Sequence, residues 1–170
     1  AAQAAAEKIA TDAGFADTQA MADAYAALIA PTNAVLTVNA DNISMSAGDD
    51  TIAATDLTLL LNNGDVIVDS SSTDNDTLTI TGSAFVTGFD TSGNTIVGVE
   101  NIVANFDALT AATLNLGGVS GVTNVTVSNV RDGATSLVTV SNTTDGSTVN
   151  AGTGLAGGLT VTMDAVNSSV

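Results

Sequence analysis

Hydrophobic positions change their rhythm near Pro31. Before it, Ile9, Ala13, Met21, Ala24, Tyr25, Leu28 and Ile29 recur at helical spacing. Gly14 is placed to stop a first helix, and Asp17 or Thr18 to cap a second that Pro31 ends. The pattern predicts a helical hairpin over 2–13 and 18–29. Its apolar stripe is mostly Ala, so it should pack closely against the rest of the chain or against another subunit.

After Pro31 the period shortens to that of strands. Short β-branched runs at 35–38, 50–53, 58–61, 66–68, 77–81, 95–97, 102–104, 113–116, 124–127, 137–140, 148–150 and 159–163 alternate with Gly, Asn, Asp and Ser. In the second half their centres recur every ~11–13 residues, the rhythm of a sandwich, barrel or solenoid. No helical pattern interrupts them, which argues against alternating strands and helices. The strands are short, and polar residues such as Thr95, Asn101, Asn115, Asn124 and Asn150 fall at their edges. Stacked corner ladders in a parallel β-helix would use such residues. The expected fold is therefore mainly β: a parallel β-helix or solenoid with a short N-terminal helical hairpin, with a β-sandwich as the alternative. The division is 1–31, an Ala-rich hairpin, and 32–170, a β-rich domain.

Composition supports this picture. Of 170 residues 45% are hydrophobic, but 28 are Ala and only five are aromatic, so the core must be built from Val, Ile, Leu and Ala. Lys8 and Arg131 are the only basic residues against 18 acids, a net charge of −16. That balance offers no footprint for nucleic acid and no polybasic dock on an anionic membrane. No apolar run reaches membrane-spanning length. Without His or Cys there is no Ser-His-Asp triad, no cysteine nucleophile and no ordinary zinc site. Glu100 reads as a buried or corner residue rather than a catalyst. The first residue is Ala and the last four are Asn-Ser-Ser-Val, which suggests a piece of a longer polypeptide.

One stretch concentrates charge. Asp49, Asp50, Asp56, Asp65, Asp69, Asp74 and Asp76 fall within 28 residues that contain no basic residue. Clustered carboxylates repel at neutral pH, and a hard divalent cation relieves the repulsion. Calcium suits the donors, because it takes six to eight oxygen ligands from Asp, Asn and backbone carbonyls. Asp49, Asp50, Asp65, Asp69, Asp74 and Asp76 are the candidate ligands. The competing reading makes them turn caps, since Asp bonds nearby backbone N–H groups.

The phrases Gly48-Asp49-Asp50-Thr51-Ile52 and Gly64-Asp65-Val66-Ile67 resemble the second half of the repeats-in-toxin calcium motif, without its double Gly or nine-residue spacing. One or two irregular calcium sites fit better than a regular β-roll. Asp76-Thr77-Leu78-Thr79-Ile80 followed by Gly98-Val99-Glu100-Asn101-Ile102 resembles secreted surface-layer proteins of Caulobacter type. That resemblance implies an acidic, Cys-free β-solenoid on the bacterial cell surface or in an extracellular matrix. It also implies calcium-stabilised self-assembly. The reading that follows is a structural, non-enzymatic protein forming a head-to-tail lattice or filament, with a cell-surface polysaccharide as a further partner. The alternative is a calcium-dependent adhesin module that binds glycans.

Overall fold

The computed structural model describes residues 2–55, 64–82, 88–108, 111–129, 137–144, 146–155 and 158–163. Two helices come first, α1 (Ala2–Asp12) and α2 (Thr18–Leu28). The Asp17 carboxylate caps α2 by accepting the Ala20 N–H at 2.8 Å, and Gly14, at φ +89°, turns the chain between the helices. The stop and cap residues thus act where the sequence places them. The Ala stripe does not pack onto the β-part, the first of the two partners expected for it. Only Ala10 is buried, and Ile9, Tyr25 and Leu28 stay about 60% exposed. The hairpin instead meets the β-part at one end, where Ala47 N–H donates to the Leu28 carbonyl.

The strands are β1 (Asn33–Val35), β2 (Asn42–Ser44), β3 (Thr51–Thr55), β4 (Val66–Val68), β5 (Thr77–Thr81), β6 (Gly88–Asp90) and β7 (Thr95–Val97). They continue as β8 (Asn101–Phe106), β9 (Ala112–Asn115), β10 (Val119–Ser120), β11 (Asn124–Asn129), β12 (Val138–Thr143), β13 (Thr148–Ala151) and β14 (Leu159–Met163). Every described pairing is parallel, which selects the solenoid over the sandwich. Sheet A runs β1-β3-β5-β8-β11-β13, sheet B β10-β7-β4-β2, and sheet C β14-β12-β9-β6. The chain passes from A to C to B and back to A, as in β5–β6–β7–β8.

Register gives the length of a turn. On sheet A, Asn33, Thr51, Thr77, Asn101, Asn124 and Thr148 stack, at intervals of 18, 26, 24, 23 and 24 residues. The ~11–13-residue rhythm of the sequence is therefore about half a turn. Run 58–61 lies outside the described residues. The strands β2, β6 and β10 are absent from the sequence reading; each is only two or three residues long and carries Asn, Gly or Ser.

Alternate residues point inward and stack by type. Ile52, Leu78, Ile102 and Val125 form one column, and Ile43, Ile67, Ile96 and Val119 another. Such columns bury a continuous apolar interior that no single turn could bury alone. Phe89 and Phe106 stack inside it, with centroids 4.4 Å apart. The buried Asn129 is satisfied by Ala108, donating to its carbonyl at 2.8 Å and accepting its N–H at 3.2 Å.

Candidate metal centre

Corners decide where the acids go. The position just before each sheet-A strand is in register between turns; before β3, β5 and β8 it holds Asp50, Asp76 and Glu100, and before β1, β11 and β13 it holds Thr32, Thr123 and Ser147. Asp50 N–H donates to Asp76 Oδ1 at 2.8 Å, and Asp76 N–H donates to Glu100 Oε2 at 2.9 Å. Each carboxylate thus closes the corner of the preceding turn. Glu100 has the corner role expected of it. Asp50 in turn accepts from the Thr32 and Ser46 N–H groups and from Ser46 Oγ.

A second ladder follows the same rule before the sheet-B strands. Asp41 N–H donates to Asp65 Oδ1 at 3.0 Å, and Asp65 N–H donates to Asn94 Oδ1 at 3.3 Å. On sheet C, Asn115 Nδ2 donates to Asp90 Oδ1 at 2.8 Å and Asn142 Nδ2 to Asn115 Oδ1. Asn124 and Asn101 likewise bond each other, and Asn101 bonds Asn75. The expected corner ladders are present at Asn101, Asn115 and Asn124.

One corner departs from the pattern. The passage from sheet B to sheet A takes three residues at 98–100 and at 121–123, but eight at 69–76. That longer stretch contains Asp69, Asp74 and Asp76, with Ser70, Ser71, Ser72 and Thr73 between them. Asp69 leaves the end of β4 and turns inside. In the next turn its place is taken by Gly98, at φ +76°, where a Cβ would lie 2.8 Å from the Asp69 carbonyl oxygen. Only glycine leaves room for Asp69 there.

The result is a group of three buried carboxylates. Asp50, Asp69 and Asp76 are 1%, 4% and 0% exposed, and one oxygen of each lies within 4.8 Å of the others. Both oxygens of Asp74 and Oδ2 of Asp76 are buried without a hydrogen-bond partner, and the buried oxygens of Asp69 meet only the backbone N–H groups of Ser70 and Ser71. Among the described residues the only cation is Lys8, which is paired with Asp12 at 2.5 Å on α1. Arg131 and Asp56 lie outside the described residues.

Burial raises the carboxyl of Asp76 to about 6, and the charges of Asp74, Asp50 and Asp69 push the same way, against the hydrogen bond from Asp50 N–H. Burial likewise raises Asp69, with Asp74 and Asp50 adding to it, against the hydrogen bonds from Ser71 and Ser70 N–H. A buried carboxylate without countercharge is costly, and protonation or a cation must offset that cost.

A pH prediction follows with a definite sign. Asp76 holds its proton more tightly folded than unfolded, so its contribution favours folding at low pH and is lost as pH rises through about 6. Without calcium, lowering the pH from 7 to 5 should therefore stabilise the fold by about 1 kcal/mol, a melting rise of roughly 2–4 °C. Thermal denaturation of chelated protein checks it, with Asp76→Asn as the control that reduces the rise to what the buried Asp69 contributes. A fall in melting temperature common to both proteins would contradict it.

The six candidate ligands thus divide. Asp50, Asp69 and Asp76 come together, and Asp74 adds its charge and two buried oxygens. Asp49 is exposed and accepts the Asn75 N–H at 3.0 Å. Asp65 lies at the other end of β4 and caps the Asp41 corner. The donor set is all oxygen and all anionic, which fits a hard cation such as calcium and excludes soft-metal chemistry. The residues missed by sequence reasoning are Gly98 and Asn94. Their signal is positional, visible only once the turns are aligned at ~24 residues.

Fold and site together define a parallel β-solenoid with a buried aspartate cluster able to hold a metal ion. Comparison with protein-family models, curated proteins and solved structures finds no match.

Proposed function

We propose that the protein is a structural, self-assembling β-solenoid stabilised by calcium, working outside the cell on a bacterial surface or in a matrix. One observation carries the reading: carboxylate oxygens of Asp69, Asp74 and Asp76 are buried beside Asp50 with no countercharge among the described residues. Calcium there would be bound by Asp69, Asp74 and Asp76, with Asp50 alongside, and would hold the long corner against the turn that precedes it. The supporting composition is a chain without His or Cys, with two basic residues and a charge of −16. Such a charge keeps copies apart until cations offset it.

Assembly head to tail suits this fold. Among the described residues, strands β1 and β13 each have one sheet-A neighbour, so parallel edges of matching polarity face opposite ways along the axis. A heterologous contact of that kind propagates into filaments or sheets rather than closing. Negative-stain microscopy with and without calcium tests the proposal. Ordered filaments or sheets that dissolve on chelation are expected. A dispersed monomer at high concentration in calcium overturns it.

A further inference from the structure

Among the described residues, the acids occupy the helical hairpin, the solenoid corners and Asp90 on sheet C. None projects from the outer surface of sheet A. Its six strands alternate buried and outward positions, and the outward ones are all Asn, Thr, Ser, Val or Ala. The central row is Val35, Ala53, Thr79, Val103, Thr126 and Asn150, in register through all six strands. It is a seam of methyl groups and small polar groups. Hydroxyl and amide rows flank it, giving an uncharged centre, half of it apolar, with a polar rim, as in the less apolar kind of protein interface.

The face is also rigid. Thr51 Oγ1 donates to Asn33 Oδ1, Asn101 Nδ2 to Asn75 Oδ1, and Asn124 Nδ2 to Asn101 Oδ1. These rim side chains are already held by their neighbours. Thr and Val in the seam have restricted χ1 angles. Little side-chain freedom remains to be lost on contact.

We infer that this outer face of sheet A is a lateral contact between two copies of the chain. The inference rests on the self-assembly proposed above and names a surface for it other than the ends. Charge selects the occupant. Two chains of −16 repel wherever acids meet, and this is the largest sheet face on which none do. Hydroxyls and amides both donate and accept, so identical faces can pair with each other. No aromatic ring lies on the face to stack on a sugar. Six strands about 4.8 Å apart, each about 15 Å long, present roughly 400 Å². That is about half the area each partner of a stable dimer buries. The contact is accordingly weak alone and effective when repeated through an assembly.

The test is a charge swap on the central row. Thr79→Asp with Thr126→Asp makes an acidic face, and Thr79→Lys with Thr126→Lys a basic one. Sedimentation in calcium reads association, and calcium titration with thermal denaturation shows that each variant is folded. Each variant alone should associate at least about tenfold more weakly than the parent, and a mixture of the two should recover association. Thr113→Asp with Thr139→Asp, on sheet C, should leave it unchanged. If the parent assembles and the acidic and basic variants assemble equally well, the lateral contact is refuted while assembly through the ends stands. If the parent stays monomeric in calcium, both readings fall. If it instead binds an insoluble neutral polysaccharide, and the variants do not, the face belongs to a glycan and the inference is overturned.

Discussion

Saturating calcium should raise the melting temperature by roughly 8–16 °C. The figure follows from linkage: an ion at a thousand times its dissociation constant adds about 4 kcal/mol to the folded state. In a chain of this size each kcal/mol moves the transition by roughly 2–4 °C. The variant Asp69→Asn with Asp76→Asn should invert the pattern. Its calcium-free form should melt above the calcium-free parent, because three mutually repelling buried carboxylates become one. Its calcium increment should fall to about a tenth of the parent's. Asn is the informative replacement, because its carbonyl still accepts the Asp50 N–H that Asp76 Oδ1 now receives. Differential scanning calorimetry with calcium or chelator measures both forms. Equal melting with and without calcium in the parent would return the cluster to a set of corner caps.

The second large effect lies in the interior. Phe106→Ala should cost about 3–5 kcal/mol and lower the melting temperature by roughly 6–20 °C. Phe106 is fully buried and stacked on Phe89, and the remaining core is built mostly from aliphatic side chains and Ala. Few neighbours have the length to collapse into the space it leaves. Thr113→Ala, on the outer surface of sheet C, should cost under about 0.5 kcal/mol. Chemical denaturation of the two variants side by side decides it. A Phe106→Ala cost as small as the Thr113→Ala cost would show an interior that does not depend on the stack.

Local chemistry made part of this structure legible. Gly14 and Asp17 bound the helices because a positive φ and an N-cap act within a few residues. The longer strands are legible because β-branched residues alternate with buried ones, as in Thr77-Leu78-Thr79-Ile80-Thr81. The period of the turn is not, because corners of three, six and eight residues shift its phase between otherwise similar strands. The acids show the same limit. Asp65 and Asp69 are four residues apart, yet β4 carries them to opposite corners. Asp50 and Asp76 are 26 residues apart and share a hydrogen bond. Side-chain type told which residues cap corners and which could ligate a metal ion; which of them meet is a property of register.

The carboxylate ladders give the solenoid a grammar of extension. At both acidic corners the N–H comes from the earlier turn and the acceptor from the later one: Asp50 to Asp76, Asp76 to Glu100, Asp41 to Asp65, Asp65 to Asn94. Within this stretch, from Asp41 to Glu100, each unit of about 24 residues therefore arrives with an acceptor for its predecessor and a donor for its successor. A unit copied in tandem brings both halves of the joint with it, so the rod can lengthen by duplication without new corner chemistry.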